Sequence, residues 1–256
     1  MRITIIGSGN VATHLAAAFK NAGHAIVQIY SRDLQNASLL AYHVRADAID
    51  DLELINQHTD LFVIAVKDDA IETISAALAQ YQKLIVHTSG ATDLQTLLKY
   101  TQNAGVFYPL QTFSKTREVD FNSVPLCIEG ADEHINAQLK ELAYTITQNV
   151  YQINSAERKT LHLAAVFAAN FPNYLYHISQ QLLADQQLPF DLLRPLILET
   201  AKKVQEHLPA SVQTGPAIRN DEKTMKSHLY QLHEKPELEA LYKLLSQGII
   251  KMNDAG

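Results

Sequence analysis

The segment from Ile5 to Phe19, IIGSGNVATHLAAAF, constrains the fold more than any other stretch of the chain. It joins a β-branched run, residues 2–6, to a helical pattern over residues 10–22 carried by Val11, Leu15, Ala18 and Phe19. Gly7 and Gly9 stand between the two, and Ala12 follows three residues after the second glycine. Gly23 closes the helix where a residue just past the last turn often takes the left-handed conformation. AIVQIY, residues 25–30, then reads as a second buried strand, so the first 30 residues make one β-α-β unit with the length a right-handed crossover needs.

In such a unit each residue of the turn has a physical use. Gly7 suits the tight turn out of the strand, and Gly9 leaves room for a pyrophosphate to approach the backbone. The N–H groups of Asn10 and Val11 open the helix, where its dipole favours an anion. Ala12 is small enough for helix and strand to pack closely. A bare G-x-G-x-x-A is a weak signal, and its place between a strand and a helix gives it weight as a dinucleotide cradle. A carboxylate at the end of the second strand would mark NAD or FAD, but this chain has Ser31 and Arg32 there. A hydroxyl can donate to a 2′-phosphate and a guanidinium can fork onto its oxygens, so NADP is the expected cofactor. Asp33, one residue later, is expected to cap the next helix.

Apolar strands recur at residues 61–66, 84–87, 105–110, 124–130 and 150–153, with helical patterns at 70–78 and 134–147 between them. After Asn154 strand signals stop. One long helix is expected over residues 155–185, bent by Pro172, with a buried stripe through Leu161, Ala164, Ala168, Phe171, Leu175, Ile178 and Leu182. Helical patterns follow over residues 190–208, about 221–233 and 236–252. The fold class expected is α/β: a Rossmann-type doubly wound sheet followed by an all-α C-terminal domain, with an NADP-binding domain over 1–154 and a helical substrate and dimerisation domain over 155–256.

The net charge of −6 gives no global positive field for nucleic acid or an anionic membrane, and no apolar run is long enough to span a bilayer. The N-terminal segment is too short for a secretory apolar region, and the single cysteine, Cys127, lies in an apolar run expected to be buried. A cytoplasmic protein is expected. The histidines form no recognised ligand spacing, so no metal is expected.

Five segments, IIGSGNVA, VKDDAI at residues 66–71, VHTSGA at 86–91, YPLQTF at 108–113 and TGPAIRND at 214–221, together resemble a bacterial family described as NADP oxidoreductases. Its members have a Rossmann-like N-terminal half and a helical C-terminal half of unknown function, and the resemblance covers nearly the whole chain. The N-terminal half is also similar to pyrroline-5-carboxylate reductases and deazaflavin-dependent NADP oxidoreductases of the wider 6-phosphogluconate-dehydrogenase-like group. This implies hydride transfer between nicotinamide and a small imine, ketone or hydroxyacid. It also adds Val66, Asp68 and Ser89 to the cofactor-binding candidates. Two residues depart from the expected pattern: Lys67 stands where a proline is usual, and Asn220 where R-G-D has its glycine.

For the chemistry, His87, Thr88 and Ser89 follow a strand at the carboxyl edge of the sheet, where they could serve a ligand or cap the next helix. His162 and Asn170 lie eight positions apart, within about 80° in an α-helical projection, and the resemblance makes them substrate-handling candidates with Lys159 one turn earlier. A hydrogen-bonded core histidine is the plain alternative for His162. Thr214, Arg219 and Asp221 are either caps and turn residues or a substrate clamp in a cleft between domains, with Arg219 on an anionic group. A small-molecule oxidoreductase is thus expected, with a nucleotide-binding sensor that has lost catalysis as the alternative. The alanines at 164, 165, 168 and 169 permit close helix approach, and a homodimer is expected.

Overall fold

A computed structural model of the protein describes residues 1–254. The chain divides into two compact units, the first running from Met1 to Tyr174 and the second from Leu175 onward.

The first unit is built on one eight-stranded sheet: β1 Arg2–Ile6, β2 Ala25–Tyr30, β3 Asp47–Ile49, β4 Leu61–Ile64, β5 Leu84–His87, β6 Ala104–Pro109, β7 Leu126–Gly130 and β8 Val150–Gln152. The spatial order is β3-β2-β1-β4-β5-β6-β7-β8. Every neighbouring pair is parallel except β6 and β7, where Tyr108 stands opposite Cys127. The helices α1 Asn10–Asn21, α2 Leu34–Val44, α3 Asp68–Leu78, α4 Gln95–Leu98 and α5 Glu133–Tyr144 lie between strands in sequence.

Alternating residues of the strands feed two apolar layers. Ile3, Ile5 and Val63 join the layer that contains Leu15 and Phe19 of α1, while Ile6, Phe62 and Ile64 join the one that contains Ile71 and Leu78 of α3. Burial on both faces explains the continuous apolar strands seen in the sequence. From β1 the chain runs through α1 to β2 and on to β3 on one side, then crosses back to β4 on the other side of β1. The carboxyl ends of β1 and β4 therefore flank a topological switch point, where open sheets of this kind hold ligands. The short β3 has one buried residue and carries no strand pattern of its own, while α2 follows Asp33 as expected: Asp33 caps it, accepting from the N–H groups of Gln35 and Asn36, and Ala37, Leu40, Ala41 and Val44 form its buried face.

The long helix after Asn154 has three parts. α6 spans Ser155–Ala165, a π-helical turn spans Val166–Asn170, and α7 spans Phe171–Ala184. Asn154 and Glu157 form a reciprocal capping box at its start. The sequence predicts a bend at Pro172, and the structure meets the missing N–H with a local widening in which Phe171 N–H bonds five residues back to Val166.

The expected buried stripe on this helix is corrected by the structure. Of its residues Ile178 alone is enclosed, Leu161 and Leu175 are half-buried, and Ala164, Ala168, Phe171 and Leu182 are exposed. The physical reason is that Leu161, Ala164 and Ala168 line an open cleft rather than a packed core. The second unit also contains α8 Arg194–Glu206, α9 Glu222–Gln231 and α10 Pro236–Asp254, and neither α8 nor α9 has a buried residue. Among the described residues, no helix is long and apolar enough to cross a membrane.

Candidate active site

A cleft of about 1610 Å³ opens at the carboxyl ends of β1, β4, β5 and β6, lined entirely by residues of the first unit. That volume exceeds what one drug-sized ligand requires, so a dinucleotide and a second small molecule can be accommodated together.

The turn after β1 forms one wall. Gly7 has φ +123°, and a Cβ there would lie 2.2 Å from the Ala65 carbonyl oxygen, so backbone conformation and close packing both demand glycine. Gly9 has no heavy atom within 4 Å of where its Cβ would be, leaving the backbone open to the cleft. Asn10 and Val11 occupy the first turn of α1, where N–H groups have no carbonyl one turn back to accept them. No side chain caps this end, and Ala12 is fully buried against the sheet. An open backbone and free donors at a helix start fit a diphosphate. The Asn10 side chain serves a different end, since its amide donates to the Phe113 carbonyl at 2.9 Å, and His14 Nε2 lies 2.9 Å from the Ser114 carbonyl. Together they hold the loop after β6 over the amino end of α1.

Ser31 and Arg32 line the same cleft at the end of β2. Ser31 Oγ accepts from Ser8 Oγ at 3.1 Å and from the Asp33 N–H at 3.4 Å, which leaves its own hydrogen available for a ligand. Both carboxylate oxygens of Asp33 are occupied at the start of α2. The end of β2 thus presents a hydroxyl and a guanidinium, a donor set that fits a 2′-phosphate. Val66, Asp68 and Ser89 line the cleft as well, so all the cofactor-binding candidates meet in one place.

Lys67 alters no geometry in this region. Its φ of −63° is the value a proline would impose.

The opposite wall carries His162 and Asn170. The π-turn inserts one residue between them, so eight positions act as about seven, two full turns, and the separation shrinks from the expected 80° to about 20°. His162 Nδ1 lies 3.2 Å from the Tyr108 hydroxyl, and the rings meet edge to face. Burial pushes the Tyr108 hydroxyl up to about 12. Gly90 seats this pair, because a Cβ there would come within 2.6 Å of His162 Nδ1 and 2.9 Å of Tyr108 Cζ. Tyr108 and Gly90 belong to the family-like segments, but no local pattern marks either as a site residue.

His87 and Lys159 lie outside the cleft, and Ser89 lines it with its hydroxyl engaged. His87 is fully buried and outside the cleft; its Nδ1 accepts from the Ser89 N–H at 3.1 Å, and burial lowers its pKa to about 3, with Arg158 adding to the effect. It is a neutral strand-end residue. Ser89 Oγ takes the N–H groups of Ala91 and Thr92, so the capping reading describes its side chain even as it faces the cleft. Lys159 pairs with Asp93 at 2.8 Å.

Thr214, Arg219 and Asp221 belong to the second unit and none lines this cleft. Residues 216–220 form a turn rather than the start of a helix. Asn220 has φ +52°, a left-handed position that asparagine tolerates and that accounts for a glycine at that place in the usual pattern. Asp221 caps α9: its carboxylate accepts from Thr224 N–H and from Thr224 Oγ1 at 2.7 Å, which holds its pKa down.

The sequence also concealed a buried ionic cluster behind the cleft. The Arg158 guanidinium is fully buried, paired with Glu129 of β7 and donating to the Thr92 carbonyl. Ser155 Oγ donates to Glu129 at 2.8 Å and accepts from Leu94 N–H at 3.0 Å. The cluster ties α6 to the sheet and to the segment after β5. Removing one member would leave the other charge buried and unpaired.

Residues 2–90 match the family described as NADP oxidoreductase coenzyme F420-dependent, and residues 124–249 match a domain of unknown function, DUF2520. A solved structure of a putative NADP oxidoreductase from Bacteroides fragilis is 43% identical, with 98% of each chain covered and a TM-score of 0.93. An imine reductase from Myxococcus stipitatus in complex with NADP+ shares the fold at 14% identity, covering 100% of this chain and 95% of its own, with a TM-score of 0.69. A 1-pyrroline-5-carboxylate reductase from Streptococcus pyogenes does so at 16% identity, covering 99% and 98%, with a TM-score of 0.64. None of the curated proteins matches the chain.

Proposed function

Since the chain belongs to the family of NADP oxidoreductases that joins an N-terminal nucleotide-binding domain to this C-terminal domain of unknown function, we propose that it transfers a hydride between NADP(H) and a small imine, ketone or hydroxyacid. The observation that carries this reading is the meeting, in one cleft, of an open backbone at Gly9, free donors at the start of α1, and a Ser31–Arg32 pair whose neighbouring carboxylate is turned away. Bound NADPH supplies the hydride. The chain's own part is to hold the diphosphate with the N–H groups of Asn10 and Val11 and the 2′-phosphate with Ser31 and Arg32, with Val66, Asp68 and Ser89 along the remainder of the cofactor.

His162 and Asn170 offer polar groups to a carbonyl or imine on the opposite wall, where the oxygen or nitrogen gains electron density as the hydride arrives. Thr214, Arg219 and Asp221 are assigned to substrate handling by family pattern alone, and Asp221 acts there through its capped turn. A homodimer completes the reading, supported by the exposed apolar faces of the long helix and of α8. A cytoplasmic location accords with the chain's chemistry.

The test has two parts. Charge-assisted contacts are worth about 1.5 to 3 kcal/mol each, so Arg32→Ala is expected to weaken NADPH by about tenfold to a hundredfold in calorimetry while leaving NADH unchanged. Equal losses for the two coenzymes would remove Arg32 from phosphate recognition. Absorbance at 340 nm with a panel of imines, ketoacids and hydroxyacids then reads turnover; tight NADPH binding with uniform inactivity would identify a nucleotide sensor.

A further inference from the structure

We propose that Tyr108 is a positioning residue that sets the tautomer of His162: its hydroxyl donates to Nδ1, so the neutral imidazole carries its hydrogen on Nε2 and presents an N–H donor to the cleft. The inference rests on the reading that His162 serves the substrate.

The geometry supports it in three ways. The hydroxyl and Nδ1 are 3.2 Å apart, with the rings edge to face at 6.1 Å and 76°. Tyr108 is only 9% exposed, and among the described residues its hydroxyl has no hydrogen-bond partner besides His162. If Nδ1 carried the hydrogen and donated to the phenol oxygen, the phenolic hydrogen would be left without a protein acceptor at the wall of the cleft that Tyr108 lines. The opposite polarity satisfies both groups. Gly90 leaves the space that the pair occupies, since any side chain there would collide with His162 Nδ1 and Tyr108 Cζ.

This polarity has a chemical consequence. With Nδ1 accepting from the phenol, the ring's hydrogen lies on Nε2, which is then a donor rather than a base. Such a donor matches the oxygen of a carbonyl or the nitrogen of an imine that is being reduced and stabilises the charge gained as the hydride arrives, the proton that completes the product coming from water in the open cleft.

The full-length protein labelled with ¹⁵N-histidine gives a direct test by long-range ¹H–¹⁵N correlation, with His162→Gln identifying the resonance. The wild type is expected to show His162 as the Nε2–H form and Tyr108→Phe a mixture of the two neutral tautomers. Gly90→Ala, which pushes His162 away from Tyr108, is expected to give the same mixture. In the turnover assay Tyr108→Phe should lower kcat about tenfold with NADPH affinity unchanged. An Nδ1–H wild type, or identical spectra in wild type and Tyr108→Phe, would overturn the proposal. The spectrum is read without substrate, so inactivity on every compound tried counts against the functional reading and leaves the tautomer result to stand by itself.

Discussion

Gly7 and Gly9 are two residues apart, yet they answer to different constraints. At Gly7 a methyl group would sit 2.2 Å from the Ala65 carbonyl on a backbone at φ +123°, so Gly7→Ala is expected to lower stability by about 3 kcal/mol or more in urea titration. Gly9 has φ −77° and open space where the methyl would go. Gly9→Ala should therefore melt like the wild type and lose NADPH affinity by tenfold or more, because the methyl occupies the approach of the diphosphate. Unaltered NADPH binding by Gly9→Ala would place the diphosphate elsewhere. Both glycines were legible in the sequence because a tight turn and a helix start are local, whereas the partnership of Tyr108 with His162 spans 54 positions. Arg158 and Glu129 were opaque for the same reason: 29 positions separate them, and the parallel pairing of β7 with β8, followed by the start of α6, brings them together.

At the scale of elements, strands buried on both faces announce themselves as β-branched runs, so β1, β2, β4 and β5 were readable almost to the residue. β3 was not, since it has three residues and only Ile49 among them is buried. The helix after Asn154 was read at the right length with the wrong interior. Periodicity reports that a stripe is apolar, not what covers it, and proline reports a lost hydrogen bond, not how the helix absorbs it. Here a π-turn absorbs it, widening the helix so that the carbonyls one turn before Pro172 are moved aside. Pro172→Ala restores the donor and removes the ring, and the expected outcome is a continuous α-helix in which Asn170 rotates by about 100° away from His162. A crystal structure of the variant reads this directly. Retention of the π-turn without proline would locate its cause in residues 166–170 themselves.

At the scale of the whole molecule, the first unit has the two apolar layers of an independent fold, and the second lacks their equivalent within one chain. Among described residues from Leu175 onward, the buried apolar side chains are Ile178, Ala217 and Leu232, while Leu192, Leu196, Leu198, Leu208 and Leu244 are all more than half exposed. In the first unit, taken by itself, Leu163 and Phe167 of the long helix are 59% and 64% exposed and one turn apart. Large apolar side chains exposed in such number mark surface that a partner covers. A second copy of the chain, bringing the same helices, can cover it by twofold symmetry, in which one patch serves both partners. Sedimentation at micromolar concentration is accordingly expected to give twice 28.5 kDa. Phe167→Glu places a carboxylate on the exposed face of the long helix and should shift the protein to a single-chain mass while far-ultraviolet circular dichroism keeps its helical signal. A wild type that sediments as one chain at that concentration would reject the dimer, and the exposed leucines would then need a different partner to explain them.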